Sequence, residues 1–506
     1  MKNIQVEVII LTICLLCLAF VFQGTRAIWQ PDEGYYVGTT VTMIEKGSLT
    51  IPYLGEDEIF LDKPPLIYLG IIGGLKLFGH NEFAVRFFHG LSFVLTAAMV
   101  GLLAYSMFGT KKIGFLSCLI YATMVIPFIA ANFVTPDTLL SLWTTAAAFS
   151  FWQSAKPNAK RILLWKLLLC LFVGLGFLAK GPAVLIPCGG MFVFLVLRKK
   201  AFRYFINPFS IVGLMVFCIV GFGWYFLVSL KIPGSLSYFF DSQIWGRLFS
   251  GKYHRNAGLT GALIYLPILI FGSLPWSHIW LEKRKALFAD IFKRYWWINK
   301  YNDPQILFLM SLFFVPLIIL CLAQSKLGLY ALPLFAPFAI ATARFWHAKI
   351  GDIESGHVIT NLKRYGRFLL LTGTWISLLI VSKLALAYYP TNLDMRALSE
   401  EIAKVVGKDN YELGTVDERA DGLIFYGIRE VEHLTKEDDP YPTYTKTEHV
   451  SAEVEVMTRK KERGIFLVHG ANEIDETCQL LSKANVKYQM INLSHQRVLL
   501  ILQLHL

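Results

Sequence analysis

Eleven apolar segments of about membrane-spanning length run through the first 388 residues of this 506-residue chain. They lie near 7–23, 85–108, 113–131, 137–154, 163–179, 181–197, 209–229, 261–281, 305–322, 329–345 and 368–388. A helix needs about 20 mostly apolar residues to cross the hydrocarbon core, and only helices and closed barrels satisfy their backbone there. The pattern predicts a polytopic α-helical membrane protein of about 11 transmembrane helices. Composition agrees, since 39 Phe and 12 Trp would demand an improbably large core in a soluble chain. No small-residue cleavage signal follows residues 7–23, so they read as an uncleaved first helix. Seven of the eight cysteines lie in apolar segments, and Cys478 alone does not. No disulfide framework or cysteine metal site follows.

The net charge of +12 suggests nucleic acid until it is mapped. The cations gather in alternate loops, at 111–112, 156–166, 198–203, 282–303 and 344–367, where 21 Lys and Arg face five acids. The positive-inside rule makes those loops and the N-terminus cytoplasmic, and no nucleic-acid partner is expected. An odd number of spans then puts the loop after the first span and the tail together on the outer, periplasmic face. Residues 24–65 carry seven acids against three bases, and the tail from 389 has 20 acids and 14 bases. The expected organisation is a transmembrane domain over 1–388, with its motifs in a first outer loop (24–84), and a small soluble α/β domain over 389–506. In that tail, 394–406 has helical spacing, 411–416 and 423–426 read as strands, and 464–468 is a third. A helix near 472–484 and strands at 487–492 and 497–503 complete it. It has no phosphate loop and no metal-ligand spacing.

Chemistry concentrates at the outer ends of the spans. Asp32 and Glu33 stand in Pro31-Asp32-Glu33-Gly34-Tyr35-Tyr36, just past the first span. A carboxylate there suits engagement of a sugar, an acceptor or a metal; equally, the pair suits capping of a short interfacial helix flanked by belt tyrosines. Asp62-Lys63-Pro64-Pro65 follows, the prolines stiffening the backbone so that the lysine is presented. An ammonium so placed suits a lipid phosphate, or it snorkels as lysines do at membrane edges. Asp137 opens a span in Thr135-Pro136-Asp137, Lys180-Gly181-Pro182 joins two spans, and Lys326 and Tyr330 precede Pro333 at another outer turn. Each alone suits a cap or anchor; together they argue for one polar cavity. The loop at 230–260 adds Arg247, His254 and Arg255, cations suited to a phosphate and a histidine suited to a metal or to nothing beyond the loop.

In order, P-D-E-G-x-Y, D-K-P-P, T-P-D (135–137), A-K-G-P (179–182), R-x-F-S-G-x-x-H (247–254), L-P-W-S (274–277) and S-K-L-x-x-Y-x-x-P (325–333) resemble the GT-C membrane glycosyltransferases that use polyprenyl-phosphate sugars. Within them the likeness is to the lipid A aminoarabinose transferases, relatives of the protein O-mannosyltransferases, over residues 5–345. The resemblance implies sugar transfer from an undecaprenyl-phosphate donor to an envelope acceptor, lipid A or a related glycan, with no nucleotide. It makes Asp32 the essential first-loop carboxylate and Asp137 a second functional acid, with Glu33 beside them. It implies carrier-phosphate contacts at Lys63, and also at Arg247, Arg255, Lys326 and Tyr330. It implies zinc on His254 and the acid before the lysine, which is Asp62 here and Glu in the family. The acceptor alternative is a protein hydroxyl. A transporter of lipid-linked substrate predicts mid-span charges and pseudo-symmetric halves, and the sequence shows neither.

Overall fold

Proline sets where several spanning helices begin. Pro136, Pro208 and Pro304 each sit at a helix N-terminus, where a missing N–H leaves no bond unmade. Asn207 and Asp303 cap two of those starts, Asp303 accepting from the N–H groups of Gln305 and Ile306 at 3.0 and 3.1 Å. The computed structural model describes residues 2–54, 58–246, 256, 258–354, 358–407, 411–428, 431–436, 444, 448–460 and 464–503, which fall into two compact units.

The first unit comprises 1–23, 86–231 and 243–383. Among its helices are α1 (Lys2–Phe20), most of α4 (Glu82–Phe108), α5 (Lys111–Thr123), α6 (Val125–Ala131), α7 (Pro136–Ala155), α8 (Ile162–Lys180) and α9 (Leu185–Leu197); α2 (Asp32–Glu45) and α3 (Leu66–Phe78) belong to the second unit. Six helical stretches among the described residues are long and apolar enough to span, and α5 with α6, bent by 65°, makes up to seven. The chain is a multi-pass membrane protein, with fewer such stretches than the eleven expected. The shortfall has physical causes. Helix α7 is present, but its interior is rich in Ser and Thr, and it is buried nearly all round rather than lipid-facing. The run 261–281 is broken at Ser273–Pro275, where proline cannot continue the ladder, into Tyr265–Gly272 and Ser277–Ile291. Helices α8 and α9 form one 36-residue apolar stretch, divided by Gly181 at φ 60°.

The bend at Met124 frees backbone groups that lipid cannot satisfy. Trp375 meets that need, its Nε1 donating to the Thr123 carbonyl at 2.8 Å, and beside it Trp276 Nε1 donates to the Thr123 hydroxyl at 2.9 Å. At the end of α1, Lys383 Nζ caps the Ala19 carbonyl at 2.9 Å. Inside the bundle Phe308 stacks on Phe151 and Trp152 at 5.5 and 5.3 Å. In α7, Thr144 and Thr145 return their hydroxyl protons to the carbonyls four residues back, so the buried helix leaves those two hydroxyls satisfied.

The second unit joins residues 24–85 and 232–242 to 384–506. From the loop come α2 (Asp32–Glu45), the short hairpin β1 (Tyr53–Leu54) and β2 (Glu58–Ile59), and α3 (Leu66–Phe78). The tail supplies β3 (Glu412–Val416), β4 (Val431–Thr435), β5 (Glu448–His449), β6 (Gly464–His469), β7 (Lys487–Asn492) and β8 (Arg497–Gln503). They form a six-stranded sheet in the order β5-β4-β3-β6-β8-β7, parallel from β5 to β6 and antiparallel beyond. Leu413, Ile465, Leu467 and Leu499 face the helix Met395–Val406; Val416, Leu434, Phe466 and Val468 face the helix Val450–Lys460. Strands β4 and β5 stand where none was expected, and the segment 423–426, expected as a strand, is not one. That segment is a 3₁₀ turn, Asp421–Tyr426, ended by Gly427 at φ 99° and packed on α2.

Candidate active site

Helix α2 starts at Asp32, as the acidic motif allows. The two neighbouring acids then part company. Glu33 is buried and holds Arg26 bidentately, with 2.9 Å contacts from both guanidinium nitrogens. It also accepts the Trp29 N–H at 3.1 Å, while the guanidinium lies 4.5 Å over the Trp29 ring. Asp32 is exposed. So Glu33 fixes the chain entering α2, and Asp32 is the carboxylate presented at its tip, where a helix N-terminus favours negative charge.

Lys63 folds onto its neighbour, donating to Asp62 Oδ2 at 2.6 Å and to the Asp62 carbonyl at 3.2 Å. A cation binding Asp62 would have to displace that ammonium from one oxygen. Pro65 stands just before α3, whose first turn carries Tyr68. The Tyr68 ring lies 6.2 Å from that of Tyr36 on α2, so the two motif helices pack through their tyrosines. The Tyr68 hydroxyl is fully buried without a hydrogen-bond partner among the described residues, and burial, then the charge of Asp62, pushes it well above the usual phenol range.

The tail closes on this loop within the same unit. Gln30 donates to Asp421 at 2.9 Å and accepts the Gly422 N–H at 3.1 Å. Tyr426 accepts the Ile28 N–H and donates to Glu82, which Arg396 also holds at 2.5 Å. Gly34 and Gly38 make the approach possible: a Cβ on Gly38 would lie 2.6 Å from the Asp421 carbonyl oxygen.

A second polar cluster lies in the spanning unit. Asp137, in the first turn of α7 and 4% exposed, accepts from Lys180 at 2.5 Å. The Lys180 ammonium also sits 4.2 Å over the Tyr330 ring. Nearby in the chain Gly181 turns the backbone, and a Cβ there would lie 3.1 Å from the Tyr225 hydroxyl. Tyr265 is buried, and its hydroxyl is without a partner among the described residues. Lys326 differs from the others: its ammonium is wholly buried and donates to the Ala323 carbonyl at 2.5 Å, closing the end of the preceding helix.

Of the residues expected from sequence, Asp32, Glu33, Asp62 and Lys63 share one unit, and Asp137, Lys326 and Tyr330 the other. Arg247, His254 and Arg255 lie outside the described residues. The roles of Lys180 and Arg26 were missed. Lys180 belonged to a motif already noted, so its pairing with Asp137 was within reach; nothing marks Arg26. In the tail, carboxylate oxygens of Glu412, Glu432 and Glu453 lie within 4.8 Å of one another, a grouping that folding creates from distant positions.

Residues 4–239 match the family of dolichyl-phosphate-mannose-protein mannosyltransferases. Two crystal structures superpose along the chain: ArnT from Cupriavidus metallidurans in the apo state, at TM-score 0.77 and 17% identity over 99% of this chain and 98% of that one; and ArnT bound to undecaprenyl phosphate, at 0.76 and 18% over 98% and 97%. The protein has the GT-C membrane fold. Its sequence is also similar to the undecaprenyl phosphate-α-4-amino-4-deoxy-L-arabinose arabinosyl transferase of Photorhabdus laumondii, 30% identical over 323 residues, 63% of this chain and 56% of that protein. A namesake from Proteus mirabilis is 30% identical over 340 residues, 65% and 58% of the two chains. The chain thus spans just over half the length of these curated relatives. In the GT-C fold, as read from this chain, the first loop and the tail form one unit, and the buried Asp137–Lys180 pair belongs to the spanning unit.

Proposed function

We propose that this protein is a membrane glycosyltransferase that moves 4-amino-4-deoxy-L-arabinose, or a similar sugar, from undecaprenyl phosphate to lipid A at the outer face of the inner membrane. One joint observation carries the reading: sequence similarity to named arabinosyl transferases, together with a fold shared along 98% of the chain with ArnT bound to undecaprenyl phosphate. The clustering of cations in alternate loops supports the orientation, with Asp32, Lys63 and the tail outside.

In the proposed reaction the bond between the anomeric carbon and the carrier phosphate oxygen breaks, and the acceptor oxygen takes its place. Negative charge grows on the leaving phosphate. Lys63 is the cation we assign to it, with Arg247 and Arg255 from the 230–260 loop and Tyr330 as further contacts. A lipid A phosphate arrives already anionic, so Asp32 then orients the sugar and balances charge. With a hydroxyl acceptor, Asp32 takes its proton. A zinc ion on Asp62 and His254 would add charge neutralisation at the same phosphate.

A second reading keeps the donor and changes the acceptor to a protein hydroxyl, supported by the mannosyltransferase family match over 4–239. Mass spectrometry of lipid A and of envelope proteins from a deletion strain, complemented with wild type, Asp32→Asn or Lys63→Ala, tests both. Sugar-bearing lipid A is expected with wild type only, while all three proteins insert equally. Full activity of both variants overturns the site assignment, and a sugar found only on protein selects the second reading.

A further inference from the structure

One end of the spanning unit carries a cationic, aromatic shelf that the proposed reaction does not use. The helix Arg294–Asn302 (sequence RYWWINKYN) buries none of its side chains. Its Trp297 and Ile298 are about half exposed, and Phe292, just before it, is 74% exposed. The helix is nevertheless fixed in position. The Tyr301 hydroxyl donates to the Leu197 carbonyl, the last residue of α9, at 2.5 Å, and Arg198 donates to the Tyr301 carbonyl at 3.4 Å. One residue on from Asn302, Asp303 caps the spanning helix Pro304–Leu322. The shelf therefore lies at the level where α9 ends and the next span begins, which is a membrane–water boundary. The side of the helix bearing Tyr301 also bears Trp297 and Ile298, at i−4 and i−3, so that apolar stripe points the way Tyr301 does, toward the ends of the spans.

Its charge is one-sided. Lys293 pairs with Asp290 at 2.7 Å and Arg344 with Asp303 at 3.7 Å. Lys199, Lys200, Arg203, Arg294 and Lys300 have no acidic partner among the described residues. Exposed tryptophan and isoleucine at a bilayer boundary, beside five unneutralised cations, suit one occupant: the headgroups of anionic phospholipids, the aromatics seated among the upper acyl chains and the cations on the phosphates. A soluble protein partner would leave the apolar stripe facing lipid, and a zwitterionic lipid would leave the cations without compensating charge.

We propose that the shelf formed by Arg294–Asn302 with Lys199, Lys200 and Arg203 is a binding site for anionic phospholipid in the leaflet where α9 ends. The site anchors that end of the bundle and stands apart from sugar transfer.

The test uses the full-length protein, extracted in mild detergent and loaded from vesicles of phosphatidylcholine containing phosphatidylglycerol, with bound lipid counted by native mass spectrometry. Phosphatidylglycerol should bind in preference to phosphatidylcholine. Each shelf cation removed by Gln substitution should weaken retention roughly fivefold at low salt, as should Trp297→Ala to a smaller degree. A triple variant, Arg294→Gln/Lys300→Gln/Lys200→Gln, is compared with Lys156→Gln/Lys160→Gln/Arg161→Gln, which removes equal charge from another loop. Loss in the first and not the second supports the site. Equal loss in both, or in neither, overturns it. Because Arg294 and Lys200 are exposed and Lys300 is only half-buried, folding should survive; a salt titration of the wild type gives an independent reading. Retention should fall as the screening length shrinks from about 10 Å at 0.1 M to about 3 Å at 1 M salt, and retention indifferent to salt overturns the proposal as well.

Discussion

Lys180 Nζ lies 2.5 Å from Asp137 Oδ1, and both side chains are nearly withdrawn from solvent, at 10% and 6% exposure. Two charges were taken from water together, and neither is tolerated there alone. Removing one member of such a pair costs about 3–5 kcal/mol, whereas replacing both by apolar groups of similar volume costs far less. Lys180→Met is therefore expected to lower the unfolding temperature in detergent sharply. Lys180→Met/Asp137→Leu should recover most of that loss while remaining inactive. Additive losses in the double variant would remove the pair from the account.

The neighbours Asp32 and Glu33 are expected to fail differently. Glu33→Ala leaves the Arg26 guanidinium buried without its carboxylate and should destabilise by about 3–5 kcal/mol. Asp32→Asn changes an exposed side chain and should leave thermal unfolding within about 0.5 kcal/mol of wild type while abolishing sugar transfer. Unfolding curves and transfer assays on the two proteins separate the roles. A stable, active Glu33→Ala protein would show that the buried pair is dispensable.

A methyl group tests the contact between the tail and α2. Gly38→Ala would put its Cβ 2.6 Å from a backbone oxygen of Asp421, which cannot swing aside. Overpacking of this kind costs about 1–3 kcal/mol, and it should make the tail more sensitive to limited proteolysis. Gly366→Ala, in the last spanning helix, meets nothing within 4 Å and serves as the matched control. Equal protease sensitivity in the two variants would contradict the close approach.

Alkaline pH should loosen the same seam through Tyr426. Burial, then the negative charge of Glu82, raises its phenol well above the usual value. A group whose pKa is raised on folding contributes stability that is complete below its unfolded pKa, about 10, and that declines as pH rises toward the folded value. The seam should thus lose up to about 1.4 kcal/mol per pH unit above pH ~10. Tyr426→Phe should start less stable, having lost two hydrogen bonds, and should lack that slope. Hydrogen exchange at the Ile28 amide across pH 9–11, in both proteins, reads it directly.

Much of this was legible in the sequence, and the exceptions share a cause. Apolar length located the spanning helices because lipid leaves the backbone few options, and alternation located most of the tail's strands. Among the described residues fewer than eleven helices stand out by length and apolarity, because tertiary packing overrides local pattern at several of them. Helix α7 is buried among other helices, so it can carry Ser and Thr; the 261–281 run is broken at Pro275; and α5 can bend at Met124 because Trp375 takes up the Thr123 carbonyl. The segment 423–426 has a strand's residues yet coils against α2, an outcome set by glycines some 390 residues earlier. Motif order drew attention to Asp32 and Lys63 in one unit and to Asp137 in the other. The partners that fix the roles of Glu33 and Asp137, Arg26 and Lys180, become evident only in three dimensions.

The unit that carries Asp32 is assembled from both ends of the chain, residues 24–85 and 384–506 with a short piece between. During synthesis the first loop therefore waits while about 300 further residues are made, roughly 15–60 s at ~5–20 residues per second. Through that interval Gly34, Gly38 and Gln30 have no tail to meet, so the loop that carries Asp32 gains its packing only when the later-made segment arrives. A protein built this way brings that loop to its final form as nearly the last event of its own biogenesis, after its spanning helices have been made.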